Sequence, residues 1–337
     1  MSLKRSRKRP KTISEERLEL LVEEVIDNIP TVLVAIVFSY ARPVVERSSR
    51  QKSSVRLCCA SADAKQIYSI KYGEAVQCFD TLSWTRLHQH CCNEDISSRG
   101  TIFRNKLWLL NQREPQTLMA FSLQCRPDAE SYRIDGEYEK GLMIEVIAYK
   151  RKNVLIGVRR EGQLQWLDVD HDQYRVVEIK TSQFFQSFGI NAIALNEGAS
   201  EIYIATGPVV RRKRTIGQEV IRVVDADTLV QKRVVTCGAR VKSVYGLTYS
   251  HTTNSLFVSV AYCEPVSQKE EDGGEMPECS RIMTVTHPNQ EQCSMLDLAD
   301  HPGCAFSELI AVDHPTSPSL LTFDSFNLTF MRIFIPF

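Results

Sequence analysis

The hydrophobic pattern of the chain changes near residue 50. In residues 12–43, apolar side chains such as Leu18, Leu21, Val22 and Val25 follow one another at three- and four-residue spacing, which is typical of an amphipathic helix. After residue 50, short apolar stretches alternate with polar turns, which is typical of β-strands. The pattern therefore predicts a short helical segment followed by a long β domain.

The β part repeats one arrangement six times: an apolar strand, a tight polar turn, a second apolar strand and then a third. The second strands are predicted at Gln66–Ile70, Lys106–Leu110, Asn153–Gly157, Glu201–Ala205, Ser255–Ser259 and Ser319–Phe323. The third strands are predicted at Ala75–Thr81, Thr117–Leu123, Leu164–Asp170, Val220–Ala226, Arg281–His287 and Phe330–Pro336. A more polar fourth strand follows most of them, so each repeat predicts a four-stranded antiparallel sheet.

Successive second strands begin 40, 47, 48, 54 and 64 residues apart, which is the length scale of four-stranded propeller blades. A four-stranded sheet whose inner strands are apolar on both faces is stable only when it stacks on neighbours. We therefore predict an all-β fold, a six-bladed β-propeller over residues 44–337. Since the chain ends just after the third strand of the sixth blade, a strand within Val44–Gln51 is expected to close the ring. The alternative is a two-sheet sandwich, which explains the alternation but not the six repeats.

Segments such as VIRVVDADTLVQKRVV, residues 220–235, place an apolar strand that ends in Asp before a turn and a Val-rich strand. This arrangement resembles the repeats of YVTN- and NHL-type β-propeller proteins and extends over residues 52–337. The resemblance implies the propeller architecture and no particular ligand.

The segment IPTVLVAIVFSYARP, residues 29–43, resembles the opening of an F-box in truncated form. In that family this helix binds the Skp-type adaptor of a cullin ubiquitin ligase, and a C-terminal propeller or repeat domain selects the substrate. The resemblance implies that residues 12–43 form an F-box-like helical segment. Its partner-binding residues would be Ile29, Pro30, Leu33, Ile36, Val37 and Tyr40. This segment is predicted to contain two short amphipathic helices, and the alternative is that they pack on the propeller.

Residues 1–11 are basic and contain almost nothing apolar, so we expect a disordered arm. Its cations are Lys4, Arg5, Arg7, Lys8, Arg9 and Lys11. Such a cluster is typical of a nuclear import signal, and the alternatives are a solvated tail and an arm that touches nucleic acid. The whole chain has 41 basic and 41 acidic residues, which argues against non-specific adhesion to nucleic acid or membrane.

Two charged insertions interrupt the repeats between their second and third strands. The fourth repeat carries Arg211, Arg212, Lys213 and Arg214, and the fifth carries Glu270, Glu271 and Asp272. Equivalent connections of all blades leave the same face of a propeller, so we expect both insertions side by side on one partner-binding face. Mutual charge screening at an exposed surface is the alternative. We therefore predict a non-enzymatic interaction scaffold that binds a protein or peptide on this propeller face. The alternative function is a nucleic-acid-associated propeller that uses the basic clusters 4–11 and 211–214.

Few residues suggest chemistry, and we predict no enzyme activity, no cofactor and no metal. His88, His90 and Cys92 alternate along a strand and so could ligate zinc, but no fourth ligand stands at a familiar spacing. Asp80, Asp168 and Asp225 recur at the ends of third strands, where a turn-capping role is favoured over a catalytic one. The segments taken as innermost strands, LCCAS, AIALN, GLTYS and LIAVD, are poor in His and carboxylates.

The cysteine count and the apolar runs bear on location. Eleven cysteines without a secretory signal peptide indicate reduced thiols inside a cell. The longest apolar run, residues 29–41, is shorter than a membrane span. We therefore expect a soluble intracellular protein, nuclear or cytoplasmic.

Overall fold

The computed structural model describes residues 44–48, 51, 55–61, 63, 65–71, 75–81, 83–91, 96–111, 114, 116–123, 129–134, 143–159, 162–182, 190–207, 209–211, 214–216, 219–263, 278–285, 294–296, 306–313, 318–324 and 327–335. The chain divides into two compact units, Met1–Arg42 with Pro336–Phe337, and Pro43–Ile335. The expected basic arm and helical segment, residues 1–43, lie outside the described residues. All of the described residues belong to the second unit.

The described residues form β-strands and one short 3-10 turn, Lys150–Lys152. Most strands fall into six antiparallel four-strand groups, which we call meanders 1 to 6. Meander 1 contains β2 (Val55–Ala60), β3 (Gln66–Lys71), β4 (Ala75–Asp80) and β5 (Arg86–Cys91). Meander 2 contains β6 (Ile96–Phe103), β7 (Lys106–Asn111), β8 (Thr117–Ser122) and β9 (Glu130–Ile134). Meander 3 contains β10 (Met143–Tyr149), β11 (Val154–Arg159), β12 (Gln163–Asp170) and β13 (Arg175–Thr181).

The second half of the chain continues in the same way. Meander 4 contains β14 (Ile190–Asn196), β15 (Glu201–Thr206), β18 (Val220–Asp225) and β19 (Gln231–Thr236). A small separate hairpin, β16 (Val209–Arg211) with β17 (Arg214–Ile216), interrupts it. Meander 5 contains β20 (Val241–Ser250), β21 (Ser255–Cys263), β22 (Glu278–Val285) and β23 (Ser294–Met295). Meander 6 contains β24 (Phe306–Val312), β25 (Ser319–Asp324) and β26 (Thr329–Phe334), and β1 (Val44–Arg47) is its fourth strand.

The first strands of the meanders contact one another in a closed cycle. In order these inner strands are β2, β6, β10, β14, β20 and β24, and β24 contacts β2 again. One cluster of buried apolar side chains fills each of the six junctions between neighbouring meanders. Meanders 2 and 3 are also joined at their outer edges, where β9 pairs in parallel with β13. The core is therefore distributed around the cycle rather than gathered in one layer.

The seam of the cycle joins the two ends of the second unit. β1 runs antiparallel to β26, with Val44 opposite Phe334 and Arg47 opposite Met331. Beyond β1, the amide of Ser48 donates to the carbonyl of Phe330, and the Ser48 hydroxyl accepts from the Phe330 amide. This edge of β26 is thus paired rather than open, which removes a site for edge-to-edge aggregation.

The second strand of each meander shows why the sequence pattern is so apolar. Every residue of β15 is buried, and the same holds for β11 and β25. A strand that packs between two neighbouring sheets has no solvent face, so it reads as a continuous apolar run instead of an alternation. Burial on both faces is therefore the reason that the second strands are the strongest signal in the sequence.

The recurrent aspartates close five-residue turns. Asp80 accepts hydrogen bonds from the amide of Ser83 at 2.7 Å, and Asp225 does the same from Thr228 at 2.7 Å. The prediction was wrong for Asp168, which lies within β12, and Asp170 at the end of that strand accepts the equivalent bonds. Four residues after the aspartates stand Trp84, Tyr174 and Leu229, all with positive φ. The hydrogen bonds of the aspartate side chains stabilise a turn whose last residue has a left-handed backbone conformation. Bulky residues seldom adopt this conformation.

Candidate functional site

All six inner strands line one cavity of about 460 Å³. Each inner strand contributes backbone or side chains to its wall, from Leu57 in β2 to Val312 in β24. The cavity is consequently built by the closure of the cycle, and no single meander contains it.

Every inner strand carries a β-bulge near its beginning. One register shift in each strand lies between Leu57 and Cys59, Ile96 and Gly100, Met143 and Glu145, Ile190 and Ala192, Val244 and Gly246, and Phe306 and Leu309. β20 has a second shift, between Val241 and Ser243. A bulge leaves an extra residue unpaired and redirects the side chains beside it. Because the six bulges lie at one end of the inner strands, the redirected residues meet at one end of the cavity.

Arg99 is the central cation of this end. Its guanidinium donates to the carboxylate of Glu145 at 3.0 Å and to the backbone carbonyls of Asn191 and Tyr245. These acceptors belong to β10, β14 and β20, so one side chain from β6 joins four inner strands. The side chain of Glu145 is only 10% exposed, and this ion pair is therefore shielded from solvent.

The carboxylate of Glu308 and the thiol of Cys58 lie near this ion pair. Burial raises the pKa of Glu145 to about 7; Arg99 opposes the shift and the charge of Glu308 adds to it. Burial also raises the pKa of the Cys58 thiol well above its usual range, and its hydrogen bond with Cys59 acts in the same direction. A protonated thiol is a poor nucleophile and a poor metal ligand, so Cys58 packs as a small apolar group.

A second buried carboxylate, that of Glu219, contacts this network through Asn191. It is buried beside Asn191, whose amide lies at 3.5 Å from both carboxylate oxygens, and a Cβ placed on Gly207 would come within 2.9 Å of its Oε1. Burial raises the pKa of Glu219 to about 7, while hydrogen bonds from the Val244 amide and Asn191 oppose the shift. Glu219 is the last residue of the connection that carries the basic insertion, and it contacts β14 through Asn191 and β20 through the Val244 amide.

Replacement of Glu219 by Gln is expected to make the protein more stable at pH 8 by about 1–3 kcal/mol and to change little at pH 5. The folded state holds the Glu219 proton more tightly than the unfolded chain does, since its pKa rises to about 7. Its contribution to stability is therefore lost as the pH rises through that range. Urea unfolding at the two pH values measures the difference. Glu46→Gln, at an exposed position of β1, is the matched control, and a loss of stability at pH 8 for Glu219→Gln would contradict the assignment.

At the other end of the cavity the polar groups are engaged in joining neighbouring strands. The Thr101 hydroxyl accepts from the Ala148 amide, and Thr248 accepts from Ala311. Asp313 accepts from the hydroxyl of Ser250 and from the amide of His251. These groups hold the wall together at this end of the cavity.

The segments LCCAS, AIALN, GLTYS and LIAVD were expected to be poor in His and carboxylates, and the inner strands that contain them begin a few residues earlier, so that β24 adds Glu308. Arg99 and Glu145 belong to β6 and β10, for which the sequence analysis gave no inner segment. Gly100 and Gly246 could have indicated these bulged strands from the sequence, because a glycine within a strand often marks a bulge or a close backbone contact. A Cβ on Gly100 would lie 2.4 Å from the Trp108 carbonyl, and one on Gly246 would lie 3.0 Å from the Leu309 amide.

The structure places only part of the predicted partner-binding residues. Arg211 and Arg214 are backbone register partners in the hairpin β16–β17, and Arg212 and Lys213 lie outside the described residues. The acidic residues Glu270, Glu271 and Asp272 lie outside them as well, in the connection from β21 to β22. The same holds for the F-box-like residues and the basic arm, namely Ile29, Pro30, Leu33, Ile36, Val37, Tyr40, Lys4, Arg5, Arg7, Lys8, Arg9 and Lys11. These interpretations, including the nucleic-acid one, stay predictions.

His88 and His90 lie on outer strand β5, with ring centroids 5.9 Å apart. Burial lowers the pKa of both imidazoles, and His90 lies 6.0 Å from the ring of Phe121 in meander 2. Cys92 lies outside the described residues. Among those described, no three His, Cys, Asp or Glu side chains are grouped so that they could hold a metal ion. The described contacts of this pair are thus packing contacts between meanders 1 and 2.

Within the part of the chain that the structure covers, no helix has the length and apolar character needed to cross a membrane.

Comparison with known proteins identifies the fold. No protein-family model matches the chain, and no curated protein matches its sequence. Among solved structures, hydrazine synthase from Kuenenia stuttgartiensis matches with a TM-score of 0.57 and 8% identity, over 83% of this chain and 75% of that one. The β-propeller domain of Cps50 (Swd1) from Myceliophteria thermophila matches with a TM-score of 0.54 and 12% identity, over 84% and 82%. A chain of the mitotic checkpoint complex matches with a TM-score of 0.52 and 11% identity, over 85% and 76%. At such low identity the likeness concerns the fold alone, a β-propeller.

Proposed function

We propose that this chain is a six-bladed β-propeller that serves as a non-enzymatic protein-interaction scaffold. One observation carries the proposal: two long insertions, residues 207–219 and 264–277, leave corresponding ends of the neighbouring meanders 4 and 5. Both follow the second strand of their meander, at the end where the inner strands are bulged and the charged cavity lies. Long loops on a rigid framework are where recognition residues accumulate.

The number of blades is supported by the closed cycle of six inner strands and by one apolar cluster at each of the six junctions. A scaffold role agrees with the fold neighbours, since one of the matching chains belongs to a mitotic checkpoint complex. A ring whose walls are tied by ion pairs and hydrogen bonds presents its loops at fixed positions, which lowers the entropic cost of binding.

Removal of both insertions is expected to abolish partner binding while the fold is retained. Deletion of residues 208–218 leaves Gly207 and Glu219 as a two-residue turn between the paired residues Thr206 and Val220, and Asn-Gly can replace residues 264–277 between Cys263 and Glu278. Captured partners are compared by quantitative mass spectrometry and then tested with purified proteins. Arg86→Ser with Leu87→Ser, on exposed β5, is the matched control. A partner set unchanged by both deletions would overturn the scaffold proposal.

The N-terminal segment supplies the second half of the proposed function, namely recruitment of a Skp-type adaptor by Leu33, Ile36 and their neighbours in residues 12–43. Purified adaptor is expected to bind the full chain and to lose binding in Leu33→Asp with Ile36→Asp. Binding that is absent, or unaffected by the double substitution, removes the recruitment half and leaves the scaffold half standing. The basic arm, residues 1–11, is proposed as a nuclear import signal.

A further inference from the structure

The bulged end of the cavity holds more negative than positive charge. Arg99 is its cation, and Glu145 and Glu308 are two carboxylates that line the same wall. Glu308 is close enough to Glu145 and Cys58 to raise the pKa of both groups. Arg99 is already committed to Glu145 and to two backbone carbonyls. The cluster of these described side chains therefore has one carboxylate in excess.

Arg99 is paired with Glu145, so Glu308 is the second carboxylate of this cluster. Its Oε2 is shielded from bulk water, and none of the described residues donates a hydrogen bond to it. A carboxylate oxygen in that position loses its hydration without gaining a donor in return, which is unfavourable. Its backbone also packs tightly, since a Cβ on Gly246 would lie 3.1 Å from the Glu308 Cα. The cavity thus contains a fixed acceptor that needs a cation or a donor.

We propose that this cavity binds a single primary ammonium or guanidinium group on an unbranched alkyl chain, with Glu308 as its ion-pair partner. The group can belong to a Lys or Arg side chain of a bound peptide or to a free amine. The peptide source rests on the proposed scaffold function, whereas the free amine does not. An anionic ligand is disfavoured at the bulged end, because Glu145 and Glu308 would face it and the guanidinium of Arg99 is already paired.

The shape and the remaining wall of the cavity suit such a ligand. Its volume of about 460 Å³ is of the size of small-molecule sites. Ala60, Ile147 and Ala311, which are half-buried, contribute apolar surface to the wall of the cavity for an alkyl stem.

The inference is tested by calorimetry on the full chain with n-pentylammonium, and with n-pentanol as the neutral probe of equal length. We expect saturable binding of the cation and at least tenfold weaker binding of the alcohol. Glu308→Gln is expected to weaken cation binding at least tenfold, while Glu46→Gln at the exposed β1 position leaves it unchanged. Equal affinity for the two probes, or equal cation affinity in Glu308→Gln and the native protein, overturns the proposal. Should Glu308→Gln not fold, the comparison of the two probes on the native protein still decides.

A second pair of probes distinguishes the source of the cation. The blocked peptide Ac-Gly-Arg-Gly-amide is compared with Ac-Gly-Gln-Gly-amide and with n-pentylammonium. Tighter binding of the arginine peptide than of both others supports a peptide side chain, and tighter binding of the free amine supports a small-molecule ligand. If no cation binds but partner capture still depends on the two insertions, this inference fails and the scaffold proposal stands. If cations bind and partner capture does not change when the insertions are deleted, the scaffold proposal fails and this inference stands.

Discussion

Phe330→Ala is expected to lower the free energy of unfolding by about 3–5 kcal/mol, which would be among the largest effects of any single substitution in this chain. Phe330 is fully buried in β26. Its ring lies 4.9 Å from Phe79 and 5.4 Å from Trp84, both in meander 1, and 5.3 Å from Phe323 in its own meander. Truncation would therefore leave a cavity at the junction where the last meander meets the first, and neighbouring strands cannot collapse into it without opening the cycle.

Urea unfolding followed by far-UV circular dichroism measures this loss. Leu87→Ala is the control, because Leu87 is 48% exposed on outer strand β5 and its truncation should change stability by less than about 0.5 kcal/mol. Phe330→Leu retains most of the buried volume and should fall between the two. A loss below about 1 kcal/mol for Phe330→Ala would show that this junction does not contribute to closing the ring.

Arg99→Met is expected to destabilise the protein by about 3–5 kcal/mol at pH 8 and by much less at pH 5.5. Without the guanidinium, the buried carboxylate of Glu145 loses its ion-pair partner, and the pKa of Glu145, already raised to about 7, rises further. The folded state then holds the Glu145 proton more tightly than the unfolded chain does. Stability is therefore retained at low pH, where both states are protonated, and falls as the pH rises towards and through this raised pKa.

The double variant Arg99→Met with Glu145→Leu separates the charge effect from the packing effect. It should recover most of the stability at pH 8, because a buried ion pair replaced as a whole by apolar groups is often nearly neutral. Thermal unfolding at pH 5.5 and 8 gives the comparison. Arg86→Met is the control at an exposed arginine and should change little at either pH. A pH-independent loss in Arg99→Met would mean that its carbonyl contacts, rather than its pairing with Glu145, stabilise the ring.

Much of the fold was predictable because local pattern and tertiary packing agree. The predicted second strand at Glu201–Ala205 is observed as β15, Glu201–Thr206, and the predicted third strand at Ala75–Thr81 as β4, Ala75–Asp80. Strands buried between two sheets must be apolar on both faces, and such runs are visible without knowledge of their neighbours. The strand that pairs with β26 was expected within residues 44–51, since the last repeat lacks its fourth strand, and the observed partner is Val44–Arg47.

The candidate site was much less predictable. Arg99, Glu145 and Glu308 belong to three different repeats, and each stands beside a bulge that shifts its strand out of simple alternation. The predicted inner segment LIAVD begins directly after Glu308, and no inner segment was predicted for the repeats that contain Arg99 and Glu145, so the sequence pattern left these charged residues out. Asp168 and Asp170 are a second example. Both are aspartates near the same turn, and the sequence does not show which of them caps it. In the structure Asp170 caps the turn because β12 ends at this residue.

The sequence alone determined the β-rich repeats, the order of their strands and the positions of the two charged insertions, because these depend on burial patterns and chain connectivity within about fifty residues. Only the tertiary structure decided that six bulges meet at one end of a cavity and that Arg99 joins four inner strands there. The physical reason is that closure of a ring brings together residues from every repeat, and the bulges that aim them are set by contacts between neighbouring sheets.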